Sequence, residues 1–182
     1  MINTRTVWIL FAGALLLAGC TERRSEPAET SGGADVVSET APAELANLGP
    51  APEWRLNDLA GRPVNLSDFA GKVVIIDFWA TYCPPCIEEI PNYVALQREY
   101  GEQGLVIVGI SADRQGPFHV LNFVHRLKVN YPIVMLDEST AEAYAVEGLP
   151  AAFVVDRNGD VRYHKVGYGA KEAMERVIRQ LL

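Results

Sequence analysis

Residues 73–91 read VVIIDFWATYCPPCIEEIP, and the change of pattern inside that run decides the fold. Residues 73–80 are β-branched, aliphatic or aromatic apart from Asp77, the composition of a strand buried on both faces. Proline in a first helical turn then predicts a helix from about Cys83 to Tyr100, stopping at Gly101. Pro91 removes a backbone donor from its interior and is expected to kink it. Cysteines three apart across a helix start place one sulfur at the exposed tip and the other a turn inward, close enough to bridge. Cys83 sits where unpaired backbone N–H groups and the helix dipole favour a thiolate, so it is the expected attacking nucleophile. Cys86, deeper in the helix, is the expected resolving thiol, and together they form the expected redox disulfide. The two prolines between them stiffen the loop.

Outward from this junction the chain alternates strand and helix. Residues 54–59 and 63–66 around Ala60-Gly61-Arg62 predict a short N-terminal β-hairpin. Residues 105–110 (LVIVGI) predict a second buried strand, and 117–127 a helix with an apolar face of Phe118, Leu121, Val124 and Leu127. Strands at 133–136, 152–155 and 161–166, a short helix at 140–145 and a closing amphipathic helix at 170–182 complete the order, with Arg157-Asn158-Gly159-Asp160 as a hairpin turn. The expected fold is α/β, with a mixed central sheet covered by helices on both faces.

The chain has 182 residues, 49% of them hydrophobic, and a formal net charge of −7, material for one globular domain. Basic residues are scattered without a block, which argues against nucleic-acid binding. At the N-terminus Arg5 precedes an apolar run over residues 7–17, too short for the ~20 residues that span a bilayer. The run ends in Leu17-Ala18-Gly19-Cys20, which resembles the lipobox of bacterial lipoproteins. That resemblance implies a signal peptide over residues 1–19, lipidation at Cys20 and contact with a lipid bilayer; multiple acyl chains suffice for stable anchoring. An ordinary secretory signal with a chance cysteine is the alternative. Residues 20–50 lack aromatics and are rich in Glu, Ala, Ser, Thr, Gly and Pro, a composition that cannot offset its ordering entropy, so they are expected to form a flexible tether. A short docked helix around Leu45 and Leu48 stays open. The domain is expected over residues 51–182.

With Cys20 lipidated, the three cysteines leave only Cys83 and Cys86 in the domain. A disulfide closing so small a loop constrains little of the unfolded chain, so redox chemistry explains the pair better than stabilisation. The runs VVIIDFWATYCPPCIEEIP and GLPAAFVVDRNG (residues 148–159) resemble the thioredoxin-like disulfide reductases of the TlpA/ResA type over about residues 51–182. The resemblance implies a thioredoxin fold and a tethered protein of the bacterial cell envelope, facing the periplasm or the cell exterior. It further implies reduction of protein disulfides, apocytochrome c among them, with electrons from a membrane thiol transporter of the DsbD/CcdA kind. No cofactor is implied, and a monomer is expected.

Residue by residue, Pro150 matches the family's cis-proline beside the disulfide, and Trp79, Tyr82 and Leu149 join it as expected substrate contacts. Asp77 matches the buried aspartate of thioredoxin and is expected to exchange a proton with Cys86; many TlpA/ResA sequences carry asparagine there, so this is a departure. Glu89, one helical turn past Cys86, matches the acid that ResA-type proteins carry near the site, with Glu88 as its solvated neighbour. Tyr82 replaces a frequent tryptophan, and Ala151 and Ala152 stand where threonines are common.

Other classes fit less well. Structural zinc would have to recruit His119 and His125 at spacings unlike a zinc motif, and a Sco-type copper chaperone expects wider cysteine spacing. A peroxiredoxin shares the fold but uses a Pro-x-x-x-Thr-x-x-Cys setting, absent here. A Dsb-type oxidase or isomerase is the main rival, yet residues 105–150 have little room for the large helical insertion of the DsbA-like oxidases.

Overall fold

The computed structural model describes residues 45–182. Cys20, the apolar run and residues 20–44 of the expected tether lie outside the described residues. Among the described residues no helix is long and apolar enough to cross a membrane.

In chain order the elements are β1 (Arg55–Asn57), β2 (Pro63–Asn65), β3 (Val73–Trp79), α1 (Pro84–Tyr100), β4 (Leu105–Ser111), α2 (Pro117–Arg126), β5 (Ile133–Met135), α3 (Glu138–Ala143), β6 (Ala151–Val155), β7 (Val161–Val166) and α4 (Lys171–Leu181). β1 and β2 form the antiparallel hairpin, and the other five strands make one mixed sheet in the order β5-β4-β3-β6-β7. β3, β4 and β5 run parallel, whereas β6 pairs antiparallel with both β3 and β7. This is a thioredoxin-like fold. The short helix α3 begins before the expected residue 140, because the Asp137 side chain caps it by accepting from the Thr140 N–H at 2.8 Å. α1 continues through Pro91 to Tyr100.

Residues along β3 alternate between two cores. Val73, Ile75 and Trp79 pack with Ile90, Tyr93 and Leu96 of α1, Val120 and Val124 of α2, and Met174, Val177 and Ile178 of α4. Val74, Ile76 and Phe78 pack on the opposite face with Trp54 and Leu56 of the hairpin region and Tyr144, the residue that ends α3. Helices therefore cover both faces, three on one and the short α3 beside the hairpin on the other. Every residue of β3 is buried, Asp77 included. Each large apolar side chain fully buried contributes about 1.5–3 kcal/mol, so the flanking valines, isoleucines and aromatics together outweigh the cost of one buried carboxyl.

Residues 45–50, assigned to the tether by composition, dock on β7. The Leu48 N–H donates to the Val161 carbonyl and the Val161 N–H to that of Gly49, both at 2.8 Å, while the Arg162 guanidinium donates to the carbonyls of Leu45 and Ala46. The segment is held in extended form rather than as a helix. Its backbone groups find partners along an edge strand, which composition alone does not register.

Candidate active site

β3 ends at Trp79, and four residues later Cys83 caps α1 in an extended conformation with φ −104° and ψ 99°. Pro84 and Pro85 fill the first two helical positions, so neither supplies an N–H. The first helical donor is the amide of Cys86, and it donates to the Cys83 sulfur at 3.3 Å. The expectation of several free amides around Cys83 thus narrows to one, aimed at the sulfur. The cysteines are joined as a disulfide with Cα atoms 5.3 Å apart. Cys83 is 8% exposed and Cys86 2%, so an incoming group reaches Cys83 first.

The Leu149–Pro150 peptide bond is cis. Because Phe78 pairs with Ala151 across β3 and β6, Pro150 lies at the sheet end from which the chain leaves for the disulfide. Its carbonyl accepts from the Gly167 N–H at 2.8 Å. Leu149 is half-buried against both cores, and Tyr82 stands out into solvent at 65% exposure. Trp79 does not share that surface. It is 1% exposed, with its ring against Phe123, so its side chain offers no contact to a partner. Gly109 makes room for it: a Cβ there would stand 3.0 Å from the indole nitrogen and 2.6 Å from Ile133 Cδ1.

Beneath α1 the sheet carries a row of paired residues, Gly109 on β4, Asp77 on β3, Ala152 on β6 and Lys165 on β7. Residues in register point to one face, so only the small Ala152 separates Asp77 from the stem of Lys165. Lys165 Nζ donates to Glu89 Oε1 at 2.6 Å and to the Gly167 carbonyl at 3.0 Å, and the Gly169 N–H donates to the same carboxylate oxygen at 2.5 Å. Burial pushes the Asp77 carboxyl up to about 8, the Glu89 charge adds to this, and Lys165 opposes it. Asp77 Oδ1, Glu89 Oε2 and Tyr93 Oη are buried without a hydrogen-bond partner. A cavity of about 10 Å³ beside Glu89, Tyr93 and Lys165 is of the size a single water fills.

Structure thus brings Asp77 and Glu89 into one buried cluster under the disulfide helix and leaves the neighbouring Glu88 exposed. Sequence reasoning passed over Lys165. Its signal is a lysine with the inward parity of β7, alternating with Tyr163 on the same core face. It also passed over Asp113, whose carboxylate reaches back to Thr81. His119, weighed only as a metal ligand, has its Nε2 3.0 Å from the Thr81 hydroxyl. Among the described residues no group of three or more His, Cys, Asp or Glu side chains is placed to hold a metal ion. A cleft of about 580 Å³ between the hairpin and α2 contains neither cysteine. A disulfide that reacts with a macromolecule needs an accessible sulfur and a surface, not an enclosing cavity.

Fold and site together define a thioredoxin-fold thiol–disulfide oxidoreductase in which Cys83 and Cys86 form a disulfide at the head of α1. Residues 49–164 match the AhpC/TSA family, and the chain belongs to it. Within known proteins it is similar to the thiol-disulfide oxidoreductase ResA of Bacillus thuringiensis, 33% identical over 133 residues that cover 72% of this chain and 76% of that one. ResA of Geobacillus kaustophilus is 35% identical over 132 residues, covering 72% and 75%. A solved thiol:disulfide interchange protein of the thioredoxin family from Chlorobium tepidum superposes with a TM-score of 0.68 at 30% identity, covering 75% of this chain and 97% of that one.

Proposed function

We propose that this oxidoreductase works as a reductase of protein disulfides, held at the outer face of a bacterial membrane through a lipidated Cys20. The reduced protein carries two electrons as a dithiol. Cys83 thiolate attacks one sulfur of the substrate disulfide, forming a mixed disulfide and releasing the other substrate sulfur as a thiolate. Cys86 then attacks Cys83 Sγ, the Cys83–Cys86 bond forms, and the second substrate thiolate leaves. Asp77, through the minor fraction ionised at neutral pH, takes the proton that Cys86 gives up. A membrane dithiol donor of the DsbD/CcdA kind restores the reduced state, and apocytochrome c disulfides are the substrate class.

The observation that carries the direction is the charge around the pair. The buried carboxyl groups on this side of the molecule are Asp77, Glu89 and Asp113, and the cation among the described residues reaching into the cluster, Lys165, is held by Glu89. With carboxyl groups and a paired lysine beneath the helix, a Cys83 thiolate gains little there, and a poorly stabilised dithiol is a good reductant. A protein substrate accords with the exposed apolar side chains at this end of the sheet, where Tyr82 and Phe118 stand near one side of the site and Val166 and Tyr168 near Pro150.

Equilibration with glutathione tests the direction. A potential near the roughly −270 mV of thioredoxin supports reduction, and one near the roughly −120 mV of DsbA makes the protein an oxidase. Metabolic labelling with palmitate should mark the wild-type chain and not Cys20→Ala; equal labelling of both removes the anchor from the proposal.

A further inference from the structure

The loop that leads into the disulfide is gripped from the neighbouring loop by a carboxylate outside the Asp77 cluster. β3 and β4 end in register, Trp79 opposite Ser111, and the Ala112 N–H donates to the Trp79 carbonyl at 2.8 Å. The two loops therefore leave the sheet side by side. Asp113, 6% exposed, uses both oxygens on that neighbour. Oδ2 accepts from the Thr81 backbone N–H at 3.0 Å and from the Ser111 hydroxyl at 2.8 Å, and Oδ1 accepts from the Thr81 hydroxyl. The Ser111 oxygen in turn accepts from the Asp113 N–H at 3.3 Å.

A threonine hydroxyl has one hydrogen. Since Thr81 donates it to Asp113, the contact with His119 must run the other way, with Nε2–H donating to the Thr81 oxygen at 3.0 Å. Asp, Thr and His are gathered as in a nucleophile triad, but the hydroxyl lies between the acid and the imidazole, its proton on the carboxylate side. Nothing here activates Thr81 as a nucleophile. The arrangement instead ties the turn before Cys83 to the end of β4 and to α2.

We propose that Asp113 is a positioning residue for the thiol–disulfide chemistry, clamping Thr81 by both its backbone amide and its hydroxyl so that the Cys83 sulfur stays aligned with the Cys86 N–H. Thr81 precedes Cys83 by two residues, and the Cys83 N–H is itself bonded within this turn, to the Ala80 carbonyl at 3.2 Å. Freedom at Thr81 passes directly to the sulfur, whose one first-turn donor is the Cys86 amide. The clamp acts on the pair in either direction of electron flow and does not depend on the proposed reductase role.

The test is the rate of Cys83 alkylation by iodoacetamide in the reduced full chain, read with kcat and KM for reduction of a model protein disulfide. Thr81→Val keeps the shape and removes the hydroxyl. It should slow alkylation at pH 7 by roughly fivefold to tenfold, the weight of one ordinary intramolecular hydrogen bond. The kcat should fall in step while KM stays within about twofold. Thr81→Ser restores the hydroxyl and should recover most of the loss. Asp113→Asn separates positioning from charge: removal of a nearby negative charge alone would quicken alkylation, whereas a released loop slows it. Thr81→Val at the wild-type rate, Thr81→Ser as impaired as Thr81→Val, or Asp113→Asn faster than wild type each overturns the proposal. If Asp113→Asn does not fold, the half-buried Thr81 pair decides alone.

Discussion

Asp77→Asn should change how stability depends on pH, in a direction fixed by the burial of Asp77. The unfolded chain loses this proton near the ordinary value of 3.8, and the folded protein only near 8. Between those values the native state holds one proton more than the unfolded state, so stability falls as pH rises, by about 1.4 kcal/mol per pH unit at full effect. The contribution of the neutral acid is fully present below about pH 4, is lost progressively up to about pH 8, and is flat above. The whole interval sets a ceiling of about 6 kcal/mol; relaxation around a buried charge reduces this, and roughly 3–6 kcal/mol is the expected span. Asparagine keeps the shape and carries no titrating proton. The stability difference between Asp77→Asn and wild type should therefore grow by that amount in favour of the variant from pH 4 to 8.5. Groups remote from Asp77 titrate alike in both proteins and drop out of the difference. Urea unfolding of the oxidised proteins, followed by fluorescence of the buried Trp54 and Trp79, measures it. A difference constant to within about 1 kcal/mol over that range would refute the reasoning, because Asp77 would then not be neutral in the native state at neutral pH. The same variant should slow resolution by Cys86 while leaving the first attack by Cys83 nearly intact.

Cys86→Ser should accumulate mixed disulfides through Cys83, visible as reducible adducts on gels; trapping seen only with Cys83→Ser reverses the two roles. Glu89→Gln removes a charge beneath the helix and frees Lys165, both of which favour a nearby thiolate, so alkylation of Cys83 should move to lower pH. Glu88→Gln, at an exposed position, should move it much less, and equal shifts would reduce Glu89 to generic surface charge. Lys165→Met strands a buried carboxylate and should cost about 3–5 kcal/mol in urea unfolding, most of it recovered in Lys165→Met with Glu89→Leu. Additive losses in that pair would show that the 2.6 Å contact carries no coupling.

Much of this molecule is legible in local pattern. The uninterrupted apolar run before Trp79, the prolines opening α1 and the Asn158-Gly159 turn between β6 and β7 each state their own backbone conformation, because strand burial, helix initiation and tight turns depend on neighbours in sequence. The reactive pair is legible for the same reason: three residues across a helix start fix where both sulfurs lie, and the prolines leave one amide to meet them. Burial of Asp77 follows from its place inside that run.

Partners far apart in sequence are a different matter. Glu89 and Lys165 stand 76 positions apart, and Asp113 and Thr81 are 32 apart. The sheet register decides both meetings. Placing β6 beside β3 aligns Asp77 with Ala152 and, one strand further, with Lys165, while placing β4 beside β3 sets the Asp113 loop against the Thr81 loop. Trp79 shows the limit from the other side: next to the reactive turn in sequence, it points into the core because strand alternation and the missing side chain of Gly109 give the indole its space. The sequence by itself determined the fold class and the place of the disulfide. Tertiary structure alone decided which charges and hydrogen bonds surround that disulfide, since electrostatics and burial act through space and the chain's pairing brings those groups together.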